Sequence, residues 1–456
     1  MELTYYTSGG SGDAGDQYTG LDRFGRVVNQ RWDLNGTDLE RLKYGYDQVN
    51  NQVWRQNTVA EGLSANQDQY YTQDGLYQIR TLQRGTLNAT QTGISGTPTW
   101  EEDWNYDPLG NWNGSMSAYQ TRVAGTTTLN QNRAHNTVNE ITNITESAGP
   151  AWPTPGYDAA GNMTSGPQPL SPANGFVLTY DAWNRLMQLK NGNTVVAAYA
   201  YDGASRRTTK TVGNTVRHYY YDDQWRVVEE RLNAAVTADR RFVWGIRRLD
   251  DLILRDQASA IRLYALDDKI NVTAVVDTSG RVQERYGYNG FGGVNYMNAN
   301  FVTITASAFD WETLFDSYRY DTESGLYQVR YRYYHPTLGR WPNRDPFGEK
   351  GGLNLYVNVG NNPINQIDPD GGGVVIIDPR ALRKSCSGFC GYACAKSSWP
   401  FGDFYTCALA DPIHNPSYYS KNCNSCKKIL WLVYIPNAPG WPEAWLIMPC
   451  PGDYKA

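Results

Sequence analysis

Short runs of alternating apolar and polar side chains recur along this chain, each preceded by the same turn-like phrase. Arg26-Val27-Val28-Asn29-Gln30-Arg31-Trp32 and Arg226-Val227-Val228-Glu229-Glu230-Arg231 are two of them. Alternation puts one set of side chains on each face of a strand. The phrase is Tyr-Asp or a near equivalent, two or three linker residues, Gly or Asn, then Arg or Asn. It stands at Tyr46-Asp47, Tyr106-Asp107, Tyr157-Asp158, Tyr180-Asp181, Tyr201-Asp202 and Tyr221-Asp222, with degenerate copies at Leu21-Asp22 and Val276-Asp277. Asp followed by small residues and Gly or Asn makes a tight turn, because the Asp carboxylate bonds local amides and Gly or Asn accepts positive φ. From Tyr157 to Tyr221 the copies are 23, 21 and 20 residues apart, room for two strands and two turns each. One hairpin is marginal in water, so the units are expected to pair side by side. In this reading Tyr packs across strands and Asp forms turns.

Composition points the same way. The 456 residues include 34 Tyr, 15 Trp and 44 Gly, and only 19% are charged. Aromatic and β-branched residues suit half-buried strands, and good helix formers are scarce. The length alone would suggest about three domains, though repeats overrule length. Cysteine then divides the chain: all seven Cys lie between Cys386 and Cys450. After Gly372, eight Lys and Arg face five Asp and Glu, although the whole chain carries −5. That weak basic excess reads first as a solvated surface. The N-terminal residues show no signal peptide, and the longest apolar run, Ile429 to Ile435, is too short to span a bilayer.

The candidate chemistry sits between body and tail. Asp345-Pro346-Phe347-Gly348 and Asp368-Pro369-Asp370-Gly371 are two copies of Asp-Pro-x-Gly. If folding brings the two turns together, the carboxylates cannot easily both ionise, so they share a proton. One then activates water while the other protonates the scissile group. Without such convergence, both Asp residues simply cap turns before Pro.

The segment 321–372 and the Tyr-Asp repeats together resemble the Rhs/YD-repeat proteins, a family of bacterial polymorphic toxins and insecticidal toxin-complex subunits. The resemblance implies an all-β fold: an antiparallel hairpin ribbon curling into a partial or complete hollow shell, closed by a core domain, with a small Cys-rich tail. The expected divisions are a repeat shell at 1–260, a repeat-associated core domain at 261–372 and a variable tail at 373–456. The resemblance also implies an intramolecular aspartyl protease, with Asp345 and Asp368 as the acids and Arg344 as the basic residue beside the first. The cut is expected between Gly372 and Gly373, where the family usually has Leu at the first of these positions. The implied function is a delivery shell that separates and holds a C-terminal effector, secreted or at the surface of a bacterium. The implied partners are its own tail, a second shell subunit and secretion machinery. An adhesion protein with a silent acid pair is the alternative.

The tail carries its own candidates. Cys386, Cys390 and Cys394 recur every fourth residue and would share one face if 385–396 is helical. Cys423 and Cys426 form a close pair, and Cys407 and Cys450 stand apart. Disulfides and a zinc site both fit this set; no other cofactor is expected. Val374-Val375-Ile376-Ile377 reads as a strand. The tail has no phosphate-binding glycine loop or nuclease motif, so nothing points to nucleic acid. Its apolar 431–434 patch and Trp-Pro steps suit membrane contact, and a lone His414 carries no constellation.

Overall fold

The computed structural model describes residues 20–373 apart from 115–116 and 259, together with the backbone of strands Glu2–Tyr5, Val375–Ile376, Tyr392–Trp399, Gly402–Leu409, Leu430–Ile435 and Ala444–Pro449. Among these residues the structure is almost wholly antiparallel β, with one short α-helix, Thr58–Gly62, capped by Asn57, and three single-turn 3-10 helices between Phe315 and Asn361. Ten strands from Glu2 to Ala148 form one sheet and fourteen from Gly156 to Asn298 form a second. In both, strand order follows chain order, so every strand pairs with its sequence neighbours. The division expected at 260 falls inside the second sheet, between the paired strands Leu252–Gln257 and Ile261–Asp267.

Each repeat turn is built as its residues dictate. In Asp181-Ala182-Trp183-Asn184-Arg185, Asp181 Oδ1 accepts the amides of Trp183 and Arg185 at 2.9 and 3.0 Å. Asn184 takes φ +62°, and Arg185 Nε donates to Asp181 Oδ2 at 2.7 Å. The tyrosine then ties one repeat to the previous one: Tyr201 OH donates to the carbonyl of Leu186 at 2.7 Å. Arginine ties it to the next, with Arg185 Nη1 on the carbonyl of Asp202 at 3.0 Å and its guanidinium 5.0 Å from the Tyr201 ring centroid. The same Tyr latch recurs at Tyr46 on Val27, Tyr106 on Ile79 and Tyr221 on Arg207. The repeated Tyr, Asp and Arg are therefore a fastening set, each meeting backbone that a lone hairpin would leave to water.

The ribbon curls far enough for its early strands to meet the end of the second sheet. Gln30 Nε2 donates to the Asp267 carbonyl at 2.8 Å, Arg55 pairs with Asp268 at 2.6 Å and Gln69 reaches the Tyr288 carbonyl at 3.0 Å. Side chains make this join and no strand pairing crosses it, so the sheets are not closed.

Residues 311–341 fill the concave side. Trp311, Leu314, Phe315, Tyr318, Tyr327, Tyr334 and Trp341 pack in one cluster with Val272, Val275 and Tyr288 of the second sheet. Buried charges there are paired: Lys210 meets Asp321 at 3.0 Å, and Arg319 bridges Glu230 and Glu312. The segment that follows is clasped by the repeat turns. Asn354 Nδ2 donates to the Leu109 carbonyl at 3.0 Å and Asn361 Nδ2 to that of Gly110 at 2.7 Å. Tyr356 OH donates to the Gly161 carbonyl at 2.9 Å, and Asn343 reaches that of Asn184 at 3.3 Å. The turns that fasten the ribbon thus also hold residues 343–361 at the edge of the sheets.

Candidate active site

Strand Arg332–Tyr334 is the third of a small sheet that begins at Arg319. Its first residue is the hub of the site. Arg332 Nη2 lies 2.8 Å from Asp345 Oδ2 and 3.2 Å from Asp368 Oδ2, so one nitrogen holds both carboxylates. Nη1 donates to the Leu355 carbonyl at 3.2 Å, Nε donates to that of Gly371, and the guanidinium lies 4.1 Å from the Trp341 ring centroid. The arginine is buried and its donors are engaged, the geometry that makes a buried cation tolerable.

The two acids sit at different depths. Asp368 is buried, with 2% of its surface exposed. Its Oδ1 accepts three consecutive amides, those of Gly371, Gly372 and Gly373, at 3.0, 2.9 and 3.0 Å. Tyr318 OH adds a bond to the Asp368 carbonyl at 2.7 Å. Burial nevertheless dominates: it pushes Asp368 up to about 7, although Arg332 pulls down. Asp345 is closer to the surface and its Oδ1 accepts the Phe347 amide at 2.8 Å. Burial raises it too, against the same arginine. Burial in turn lowers Arg332. Two raised carboxyls on one cation form a set able to carry a proton at neutral pH.

Of the residues singled out in the sequence, Asp345, Asp368, Gly372 and Gly373 come together here. Arg344 does not join them. It bonds Glu140 at 3.0 Å and Tyr356 at 3.2 Å on the opposite side, because neighbours in extended chain project apart. Arg332 takes the place expected of Arg344. Tyr333, Tyr334, Trp341 and Tyr356 are buried as expected of core aromatics, but Tyr331 is 39% exposed and meets Phe347 edge-on. His335 closes a turn, its Nδ1 accepting the Leu338 amide at 3.1 Å.

In the tail, Val375–Ile376 pairs with Gln366–Ile367, within the expected strand. The helix considered for 385–396 is not formed at its end, since 392–399 is strand. Its register sets Cys394 directly opposite Cys407. Cys386, Cys390, Cys423, Cys426, Cys450 and His414 lie outside the described residues, as does the question of zinc. Among the described residues no helix is long and apolar enough to cross a membrane.

An unclosed β-ribbon of fastened repeats around an acid pair defines a shell-type β architecture. Known proteins show the same kinship. No family model matches the chain. The toxin subunit YenC2 of Yersinia entomophaga is 26% identical over 386 residues, covering 73% of this chain and 37% of its own. The tRNA3(Ser)-specific nuclease WapA of Bacillus spizizenii is 26% identical over 281 residues, covering 60% of this chain. This chain spans only 11% of the length of that relative. In fold, the crystal structure of TcdB2-TccC3-Cdc42 matches 76% of this chain and 18% of its own at a TM-score of 0.54 and 20% identity. In sequence the chain is thus similar to a tRNA nuclease and to a toxin subunit, an Rhs/toxin-complex-like resemblance, and the solved structure shows the same fold.

Proposed function

We propose that this chain belongs to a toxin-delivery shell that cuts itself once, between Gly372 and Gly373, and so separates residues 373–456 as its cargo. The observation that carries this reading is the convergence of both Asp-Pro-x-Gly carboxylates on Arg332 Nη2, with the Gly373 amide 3.0 Å from Asp368 Oδ1. Asp345, the less buried acid, takes a proton from water, whose oxygen adds to the Gly372 carbonyl carbon. Asp368, raised to about 7 by burial, supplies a proton from Oδ2 to the Gly373 nitrogen as the C–N bond breaks, since Oδ1 already accepts that nitrogen's own N–H. The products are a carboxyl group at Gly372, which loses the second proton of the water to solvent, and an amine at Gly373, with Asp345 left holding a proton and Asp368 ionised. Arg332 offsets the charge that the pair carries through the step.

The shell role is supported by relatives whose names are toxin subunit and nuclease toxin. By the same likeness the protein acts outside the producing bacterium, with further shell subunits and the tail as partners. Intact-mass measurement of purified protein tests the reading. Two species meeting at Gly372–Gly373 are expected, and their co-elution on gel filtration would place the tail inside the shell. A chain uncut over days at pH 6 would leave the adhesion alternative standing.

A further inference from the structure

Three successive glycines stand at the end of the second acid's turn, and their surroundings differ. Gly371 has φ +80°, and a Cβ there would lie 3.2 Å from backbone atoms of Arg332 and Val329. The chain conformation itself requires glycine at that point. Among the described residues, a Cβ at Gly373 would meet nothing within 4 Å. Gly372 differs from both. A Cβ there would stand 2.3 Å from Phe347 Cε2 and 2.6 Å from Cδ2, so a side chain excludes it, not the backbone.

That side chain belongs to the first acid's turn. The Phe347 amide donates to Asp345 Oδ1 at 2.8 Å. Its ring meets the Tyr331 ring edge-on at 6.2 Å, and the Tyr331 amide donates to the Asp370 carbonyl at 3.0 Å. Phe347 therefore runs from one acid's turn across to the other and lies on the Gly372 backbone. Gly372 is buried although the ring itself is 51% exposed. The ring could swing outward to admit a side chain, but doing so would uncover Gly372 and lose the Tyr331 contact.

We propose that Phe347 is a positioning residue that restricts position 372 to glycine and presses the Gly372–Gly373 peptide against the acid pair. The proposal rests on the self-cleavage reading above. It assigns the site a specificity: glycine on the acyl side of the cut, and a looser choice on the amine side.

The test is a time course of cleavage by intact mass, started by refolding the full chain from denaturant at pH 6, for wild type, Gly373→Leu, Gly372→Leu, Phe347→Ala and the double variant Phe347→Ala/Gly372→Leu. Gly373→Leu, whose added Cβ meets none of the described residues within 4 Å, is expected to slow less than Gly372→Leu. Gly372→Leu is expected to slow by about 10- to 100-fold, the range that overpacking one side chain commands. The double variant is expected to regain about tenfold over Gly372→Leu, a rescue that general loss of structure would not give. Thermal melts of the same series in an Asp345→Asn background read the contact without cleavage, and there too the double variant should recover what Gly372→Leu loses. A Gly372→Leu chain cut as fast as wild type, or a double variant no faster than Gly372→Leu, overturns the positioning role and leaves self-cleavage standing. A wild type that is never cut overturns both, whatever the melts show.

Discussion

Asp277 and Asp368 make nearly the same local bonds and end at opposite extremes. Each caps a tight turn through Oδ1 and meets an arginine through Oδ2. Asp277 lies in a surface turn, where slight burial raises it but bonds from Ser279 and Arg281 outweigh that and hold it at about 2. Asp368 lies beneath the core segment, where burial overrides Arg332 and its amide bonds and lifts it to about 7. Turn chemistry is common to both; depth separates a structural aspartate from one that holds a proton. The repeats fasten the ribbon in water, and the second Asp-Pro-x-Gly turn reuses their device where water is excluded.

Exchanging the acids should break the comparison most sharply. Asp345→Asn and Asp368→Asn are each expected to slow cleavage by about 10²- to 10⁴-fold, the usual weight of a positioned acid or base. Asp277→Asn should leave the rate unchanged in the same mass assay. Next is Arg332→Gln, which strands two buried carboxyls. In chemical denaturation it should cost about 3–5 kcal/mol, as breaking a buried pair does, whereas an exposed turn arginine such as Arg281 should cost less than about 1 kcal/mol.

Acid titration should show the two aspartates with opposite sign. Asp368 in the folded chain takes up its proton near 7, an unfolded one only near 3.8, so its burial cost is relieved as pH falls across that window. Asp277 is lowered from 3.8 to about 2, so its stabilisation is present above 3.8 and lost as pH falls through 2. In the proposed step Asp368 gives up a proton, so cleavage should decline as pH rises through 7. Smallest should be Asp181→Ala. Losing its turn bonds is expected to cost about 1 kcal/mol in a thermal melt, with cleavage unaltered.

The sequence carried the hairpin ribbon and the two acids because both are written locally, in Tyr-Asp turns and Asp-Pro-x-Gly. Arg332 was not legible. It stands 13 residues before Asp345, with Arg330 two places earlier in the turn before its strand, and no spacing rule selects it. The family resemblance pointed to Arg344, but adjacent residues of an extended chain face opposite ways, and Arg344 reaches Glu140. The covering role of Phe347 was equally hidden, since it depends on two turns meeting in space. Nor could alternation tell that Tyr331 would stay exposed beside four buried aromatic neighbours in the same segment.

Self-cleavage is decided by where the chain breaks. Full-length protein, purified in denaturant, refolded at pH 6 and weighed intact, is predicted to yield one species ending at Gly372 and one beginning at Gly373. A chain that stays whole, or one cut at any other bond, would contradict it.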